Sequence, residues 1–240
     1  MKLLYLSDLH FEEDSKSYND ALALVESERP DVLLIGGDFG SRDLAVSFLR
    51  ECSKYCSQIV GILGNNDEFE LDDEEFSNVT ILDAGIAKIS DNVAVLGISR
   101  NIGLKPKKYR LTVNDFLKYC RELYECVRKF CDDDVKILLL HDVPIEVAEV
   151  AVVRGIIQKF SEIICGSVSD CVQLLDPDVV LVGHLHAGVL TVEKGHTLFI
   201  VSTWVRYRYF TEISIEDGRV VVRVGKFPEG ESVFEKVLVR

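Results

Sequence analysis

The chain is short of the features that would mark a membrane, fibrous or disulfide-stapled protein. No apolar stretch approaches the ~20 residues that a transmembrane helix requires. Only five Pro occur among 240 residues, and no repeat, low-complexity tract or Pro/Gly/Ser-rich linker interrupts the chain. Basic residues are outnumbered, 27 Lys and Arg against 40 Asp and Glu, for a net charge of −13. That balance opposes non-specific attraction to nucleic acid or to an anionic membrane. It does not exclude nucleic-acid substrates, because bound cations would invert the local field. The seven cysteines (52, 56, 120, 126, 131, 165 and 171) include no C-x-x-C pair and are odd in number. Buried, reduced thiols are expected rather than zinc sites or disulfides. One Met, among many Glu, Lys and Arg, hints at a thermophilic origin. Met1-Lys2 runs straight into a strand pattern, so no signal peptide and a cytoplasmic location are expected.

What remains is an ordinary globular composition, 48% hydrophobic and 28% charged. Residues 1–240 read as one domain, able to bury roughly 70–75% of its unfolded surface. The first third alternates strand and helix: a strand at 2–6, a helix at 18–28, a strand at 32–35, a helix at 42–57 and a strand at 59–63. This β-α-β-α-β rhythm predicts a largely parallel sheet with right-handed crossovers. Residues 71–76 (LDDEEF) read as a solvated loop. Strands at 79–82, 86–89 and 93–98 leave no room for intervening helices, which predicts antiparallel pairing among them.

Thr112-x-x-Asp115 resembles a capping box and opens a regular helix. Its apolar positions are Val113, Phe116, Leu117, Cys120, Leu123, Tyr124, Val127 and Phe130. A strand at 135–140, helices near 145–164 and 168–175, and a strand at 179–182 follow. Segments 189–193, 197–201, 204–215 and 219–224 then alternate apolar and polar, with turns at Lys194-Gly195 and Asp217-Gly218. They predict an antiparallel C-terminal meander.

Five apolar runs end in polar residues suited to metals: KLLYLSDLH, VLLIGGD, IVGILGNND, KILLLHDVP and VVLVGHLH. They place Asp8, His10, Asp38, Asn65, His141, His184 and His186 just beyond predicted strands. Sites in open α/β sheets form where strands end at their carboxyl edge. Carboxylate and amide oxygens mixed with imidazole suit divalent Mn, Fe, Zn or Ni. Each motif alone is weak, since Asp8 could cap a helix and His10 could sit on the surface; the ordered set carries the argument.

That set resembles the calcineurin-like metallophosphoesterase family, whose signature runs D-x-H, G-D, G-N-H-D, a lone His after a strand, and G-H-x-H. Here these are Asp8-Leu9-His10, Gly37-Asp38, Gly64-Asn65-Asn66-Asp67, His141 and Gly183-His184-Leu185-His186. The resemblance spans residues 1 to about 205. It implies an α/β fold, a four-layer α/β/β/α sandwich with mixed sheets, and two divalent metal ions on one sheet edge, with Mn expected and Fe, Ni or Zn as alternatives. One ion would be held by Asp8, His10, Asp38 and His186, and the other by Asp38, Asn65, His141 and His184. Asp38 would bridge ions ~3.5–4 Å apart, and a hydroxide shared by them would attack phosphorus in line. Asn66 and Asp67 occupy the motif's catalytic positions. Where the family carries a histidine that protonates the leaving oxygen, this chain has Asn66, which donates a hydrogen bond but cannot give up a proton at ordinary pH. The expectation is therefore a hydrolase favouring diesters or anhydrides with good leaving groups. Asp67 is expected to pin the loop.

Outside that set, Arg100, Lys105, Lys107, Lys108 and Arg110 form a basic loop that could contact substrate phosphates or simply be solvated. Trp204, Arg206 and Arg208 would share one face of a strand, with Val205, Tyr207 and Tyr209 on the other. His196 reads as a surface residue, and Asp142 as a candidate to orient His141. The substrate expected is a small phosphoester or nucleotide-type molecule, with no membrane involved. The alternatives are a small DNA-repair-type nuclease, disfavoured by charge, and a metal-binding, non-catalytic scaffold. Oligomeric state is not legible.

Overall fold

The computed structural model describes residues 1–71, 76–103, 108–131, 134–216 and 218–239. Part of the acidic 71–76 loop, Lys105, Lys107 and Asp217 therefore lie outside the described residues. In chain order the first elements are β1 (Lys2–Leu6), α1 (Ser15–Glu28), β2 (Val32–Ile35), α2 (Arg42–Cys52), β3 (Gln58–Gly61) and β4 (Val79–Ile81). The hairpin β5 (Ala84–Ser90) and β6 (Val93–Ile98), the short ribbon β7 (Asn101–Ile102) and β8 (Arg110–Leu111), and α3 (Val113–Phe130) follow. Then come β9 (Val135–Leu140), α4 (Ile145–Val153), α5 (Glu162–Leu175), β10 (Val179–Val182) and the hairpin β11 (Val189–Lys194) and β12 (Thr197–Ser202). The chain closes with β13 (Tyr209–Glu216), β14 (Arg219–Lys226) and β15 (Ser232–Val239).

Two mixed sheets result, one in the order β15-β14-β13-β1-β2-β3-β4 and the other β11-β12-β10-β9-β6-β5. Strand periodicity decides how they stack, because successive side chains point to opposite faces. Leu3, Leu34, Val60, Ile137, Leu139 and Leu181 fill the space between the sheets. Their neighbours Leu4, Leu33 and Ile35 face out and meet Leu24, Phe48 and Leu49 of α1 and α2. On the far side Leu138, Val180 and Val182 meet Phe116, Leu123, Val168 and Val172 of α3 and α5. The layers are α/β/β/α. Strands buried on both faces need the near-continuous apolar runs VLLI and VVLV. Each fully buried Leu contributes roughly 1.5–3 kcal/mol.

Local chemistry sets the helix limits. Asp14 accepts from the Lys16 N–H, so α1 begins three residues before the apolar periodicity does. The Thr112–Asp115 capping box forms as expected. The helix expected near 145–164 is instead α4 alone; Gly155 takes a positive φ of 71° and Ser161 caps α5 at a new start. Among the described residues no helix is long and apolar enough to cross a membrane.

Several expectations need correction. β4 pairs in parallel with β3, not with the β5–β6 hairpin, since the chain from 62 to 78 is long enough for a crossover connection. Phe130, expected on the core face of α3, is 61% exposed at the helix end. The C-terminal meander is β13-β14-β15, with β15 beyond the alternation seen in the sequence, while β11–β12 joins the other sheet. Residues 204–208 are not strand. Trp204 is fully buried, with its backbone N–H on Ser7 O (3.0 Å) and its indole N–H on Ser17 O (3.1 Å). Arg208 lies over its ring and bonds Asp20 and Asp14. A turn that docks onto the exit of β1 satisfies these groups better than strand pairing would. Finally, Cys120 and Cys171 form a disulfide between α3 and α5, their Cα atoms 5.6 Å apart, against the expectation of seven reduced thiols. The pairing depends on which helix faces meet, and spacing along the chain does not reveal that. The other five cysteines are free, Cys126 exposed and the rest buried.

Candidate metal centre

The parallel strands β1, β2 and β3 end at the same edge as β9 and β10, and the loops leaving these five ends carry all seven candidate ligands. Asp8, His10, Asp38 and His186 offer donor atoms that all lie within 4.8 Å of one another. His10 Nε2 is 3.1 Å from His186 Nε2, and His186 Nε2 is 3.6 Å from Asp8 Oδ1. On the other side, Asn65 Oδ1 is 2.9 Å from His141 Nε2 and 2.6 Å from His184 Nδ1. Asp38 stands between the groups, its Oδ2 3.3 Å from His10 Nε2 and 3.4 Å from His141 Nε2. Asp8, Asp38 and His141 are buried, whereas Asn66 and His184 are exposed. Solvent therefore reaches the centre at Asn66 and His184.

Four of the seven, Asp8, His10, Asp38 and His184, hold positive φ angles of 54°, 41°, 58° and 67°. Backbone strain of this kind costs of order 1–3 kcal/mol per residue and persists where surrounding contacts over-determine it. Those contacts are visible. Asp67, fully buried, accepts the N–H groups of Asp38 (2.7 Å), Phe39 (2.8 Å) and Gly64 (2.8 Å), clamping the G-D loop to the G-N-N-D loop. Ser7 donates to Asp8 Oδ2 and the His184 N–H to Asp8 Oδ1, which ties β1 to β10. Gly64 and Gly183 permit the close approach: a Cβ on Gly64 would sit 2.1 Å from Asp38 Oδ1, and one on Gly183 would sit 2.7 Å from His141 Nδ1.

The Gly36 carbonyl, 2.9 Å from His141 Nδ1, can only accept, so Nδ1 carries the proton and Nε2 is left to face the centre. Neither this carbonyl nor Ser7 was picked out from sequence. A backbone oxygen has no sequence signal; Ser7 has one, its place beside Asp8.

Charge is concentrated here. Burial opposes ionisation of Asp38, but His141 and His10 outweigh it and hold the carboxyl below its usual range. Burial would lower His141, yet the Asp38 carboxylate raises it to about 10. The same balance raises His10. His184 falls to about 4 through desolvation and the charge on His141. Burial and the nearby Asp38 charge lift Asp67 to about 6. Buried carboxylate and imidazole atoms at these separations, with oxygen and nitrogen mixed, form a donor set that fits divalent cations.

The remaining candidates fall in different places. Asn66 lies at the open side, donating from Nδ2 to Asp38 Oδ2 (2.8 Å) and from its backbone N–H to Asp38 Oδ1 (2.9 Å). Asp142 accepts from the Ile102 N–H at 2.5 Å, so it anchors β7 rather than the His141 ring. Arg100 pairs with Glu70 (3.1 Å) and lies over Tyr109, whose hydroxyl also takes Lys108. His196 is on the surface, 3.2 Å from Asp176.

Comparison with known proteins bears on the family and the fold. The family model described as calcineurin-like phosphoesterase matches residues 1–188. No curated protein matches the chain. Among solved structures, TT1561 of Thermus thermophilus has a TM-score of 0.63 at 14% identity, covering 98% of this chain and 97% of its own. Phosphopantetheinyl hydrolase from Mycobacterium tuberculosis gives 0.54 at 13% identity over 85% of this chain and 90% of its own. Vacuolar protein sorting 29 from Cryptosporidium parvum gives 0.54 at 16% identity over 100% and 98%. At these identities the likeness is one of fold.

Proposed function

Since the chain belongs to the calcineurin-like phosphoesterase family, we propose that it is a single-domain hydrolase that cleaves phosphoesters at a two-metal centre, diesters in preference to monoesters. The observation that carries this reading is the position of Asp38, whose one oxygen lies 3.3 Å and 3.4 Å from imidazoles of the two ligand groups. Asp8, His10, Asp38 and His186 would hold one ion; Asp38, Asn65, His141 and His184 would hold the other. The mixed oxygen and imidazole set suits Mn²⁺, with Fe, Ni or Zn as alternatives. Divalent cations held there activate water and offset charge on phosphoryl oxygens.

The protein's own groups do the rest. Asp67 and the Ser7–Asp8 bond hold the donors in place before substrate arrives, so little reorganisation accompanies the reaction. Asn66, exposed beside Asp38, can turn its amide to a phosphoryl oxygen and orient it. It cannot protonate a leaving alkoxide. Loss of a general acid typically costs 10²–10⁴-fold, which favours esters whose leaving group departs without a proton.

The test is hydrolysis of bis-p-nitrophenyl phosphate and p-nitrophenyl phosphate by metal-stripped protein, with and without Mn²⁺, Ni²⁺ or Zn²⁺. Metal-dependent cleavage favouring the diester is the expected result. Equal or better monoester cleavage would sink the diester preference but keep the enzyme. Asn66→His should raise turnover of alkyl phosphates, by up to about 10²-fold; no rise would remove the leaving-group argument. A second reading, a metal-binding module without turnover, draws on the fold shared with a protein named for vacuolar sorting. Bound metal with no cleavage of either ester would favour it.

A further inference from the structure

His184 faces two ways. Its Nδ1 meets Asn65 at the metal centre, and its ring also walls a cavity of about 240 Å³ between β7 and the start of α5. Ile102 and Leu185 form the buried floor, and Phe160 and Ile164 are half-buried along the side. Asn101 also lines the cavity, and its Oδ1, enclosed by the protein, finds no partner among the described residues. Buried acceptors are nearly always bonded, so an orphan beside a cavity is an invitation to a donor.

We infer that this cavity receives the organic arm of the phosphoester, a group of single-ring size with an apolar face and one N–H or O–H aimed at Asn101. The inference rests on the phosphoesterase reading and narrows its substrate class. Three features select the ligand. Sharing His184 places the cavity beside the phosphorus site, so one molecule can occupy both. The volume of about 240 Å³ lies below the roughly 300–1,000 Å³ of pockets for drug-sized ligands, so what enters is one ring or a short chain. Ile102, Phe160, Ile164 and Leu185 line the cavity together with Asp142 and Lys159, so it suits an apolar ring that carries a polar edge.

The experiment uses non-hydrolysable phosphonates with the Mn²⁺-loaded protein, read by calorimetry and by inhibition of bis-p-nitrophenyl phosphate cleavage. Benzylphosphonate should bind about tenfold more tightly than methylphosphonate, since burying one ring is worth at least that factor. 4-Hydroxybenzylphosphonate should bind more tightly still, and Asn101→Leu should erase that last increment alone. Ile164→Trp, which fills the side of the cavity, should reduce the benzyl advantage to near unity while leaving methylphosphonate affinity unchanged. Should that variant not fold, the phosphonate series on the unmodified protein decides the matter. Equal affinity for methyl and benzyl compounds overturns the cavity assignment and leaves the phosphoesterase reading standing. No phosphonate binding together with no turnover overturns both.

Discussion

The two sheet edges that meet at the centre are built from different chemistry. The seven-stranded edge brings Asp8, Asp38 and Asn65 with a single imidazole, His10, whereas the six-stranded edge brings only imidazoles, His141, His184 and His186. The oxygen-bearing edge is locked by hydrogen bonds. Asp8 takes bonds from Ser7 and His184, and Asp67 fastens the loops of Asp38 and Asn65 together. The imidazole edge is looser: His141 is enclosed and fixed by Gly36 O, but His184 is exposed and the His186 side chain is 32% exposed. Each proposed ion draws on both edges. One edge therefore supplies fixed negative charge, the other supplies side chains that can adjust, and bound cations would add to the hydrogen bonds that already join the two sheets here.

The sharpest way to break that comparison is Asp38→Asn, because Asp38 serves both ligand groups. We expect a folded protein that loses both ions and at least about 10³-fold of metal-restored turnover. Metal stoichiometry by elemental analysis checks it, and retention of two ions would end the bridging role. Next in size is Asp67→Ala, which orphans three buried N–H groups and should destabilise by about 2–4 kcal/mol. Urea unfolding measures this, and a loss under about half a kcal/mol would show that the clamp is idle.

On the looser edge, His184→Ala and His186→Ala should each leave one ion bound. Affinity for the other should fall by more than the roughly 10–100-fold typical of a supporting residue. If either variant releases both ions, the two half-sites are not separable. The smallest effect is in protons. His141, raised to about 10 in the metal-free protein, gives stability that is full below its ordinary 6.5 and is lost as pH rises toward 10. Ligation needs the neutral ring, so metal uptake near pH 7 should release at least about one proton, from His141 with a further share from the raised His10, and strengthen with pH. Calorimetry in two buffers of different ionisation enthalpy counts it, and zero release would contradict the charged state of His141.

Much of the molecule was legible in advance. The apolar runs before Asp8, Asp38 and His184 read as buried strands, and the helical periodicity at 113–127 with its capping box located α3. Other features were hidden because they depend on neighbours distant in the chain. Nothing around residue 79 says that β4 will sit beside β3, since either sheet would bury its apolar side chains. Trp204 alternates like a strand residue, but a buried indole needs an acceptor, and the carbonyl of Ser17 provides it from 187 positions away. Cys120 and Cys171 are separated by 51 residues and meet only because α3 packs on α5.

Residue type and spacing by themselves determined most of the strand-and-helix order and the choice of candidate donors, because these follow from local periodicity and from which side chains carry lone pairs. Only the tertiary structure decided which nitrogen of His141 faces the centre, which three N–H groups Asp67 holds, that Asp142 anchors β7, and that a cavity lies behind His184. Each of these rests on a distance between groups far apart in sequence, and such distances are set by how two sheets stack, which no local pattern encodes.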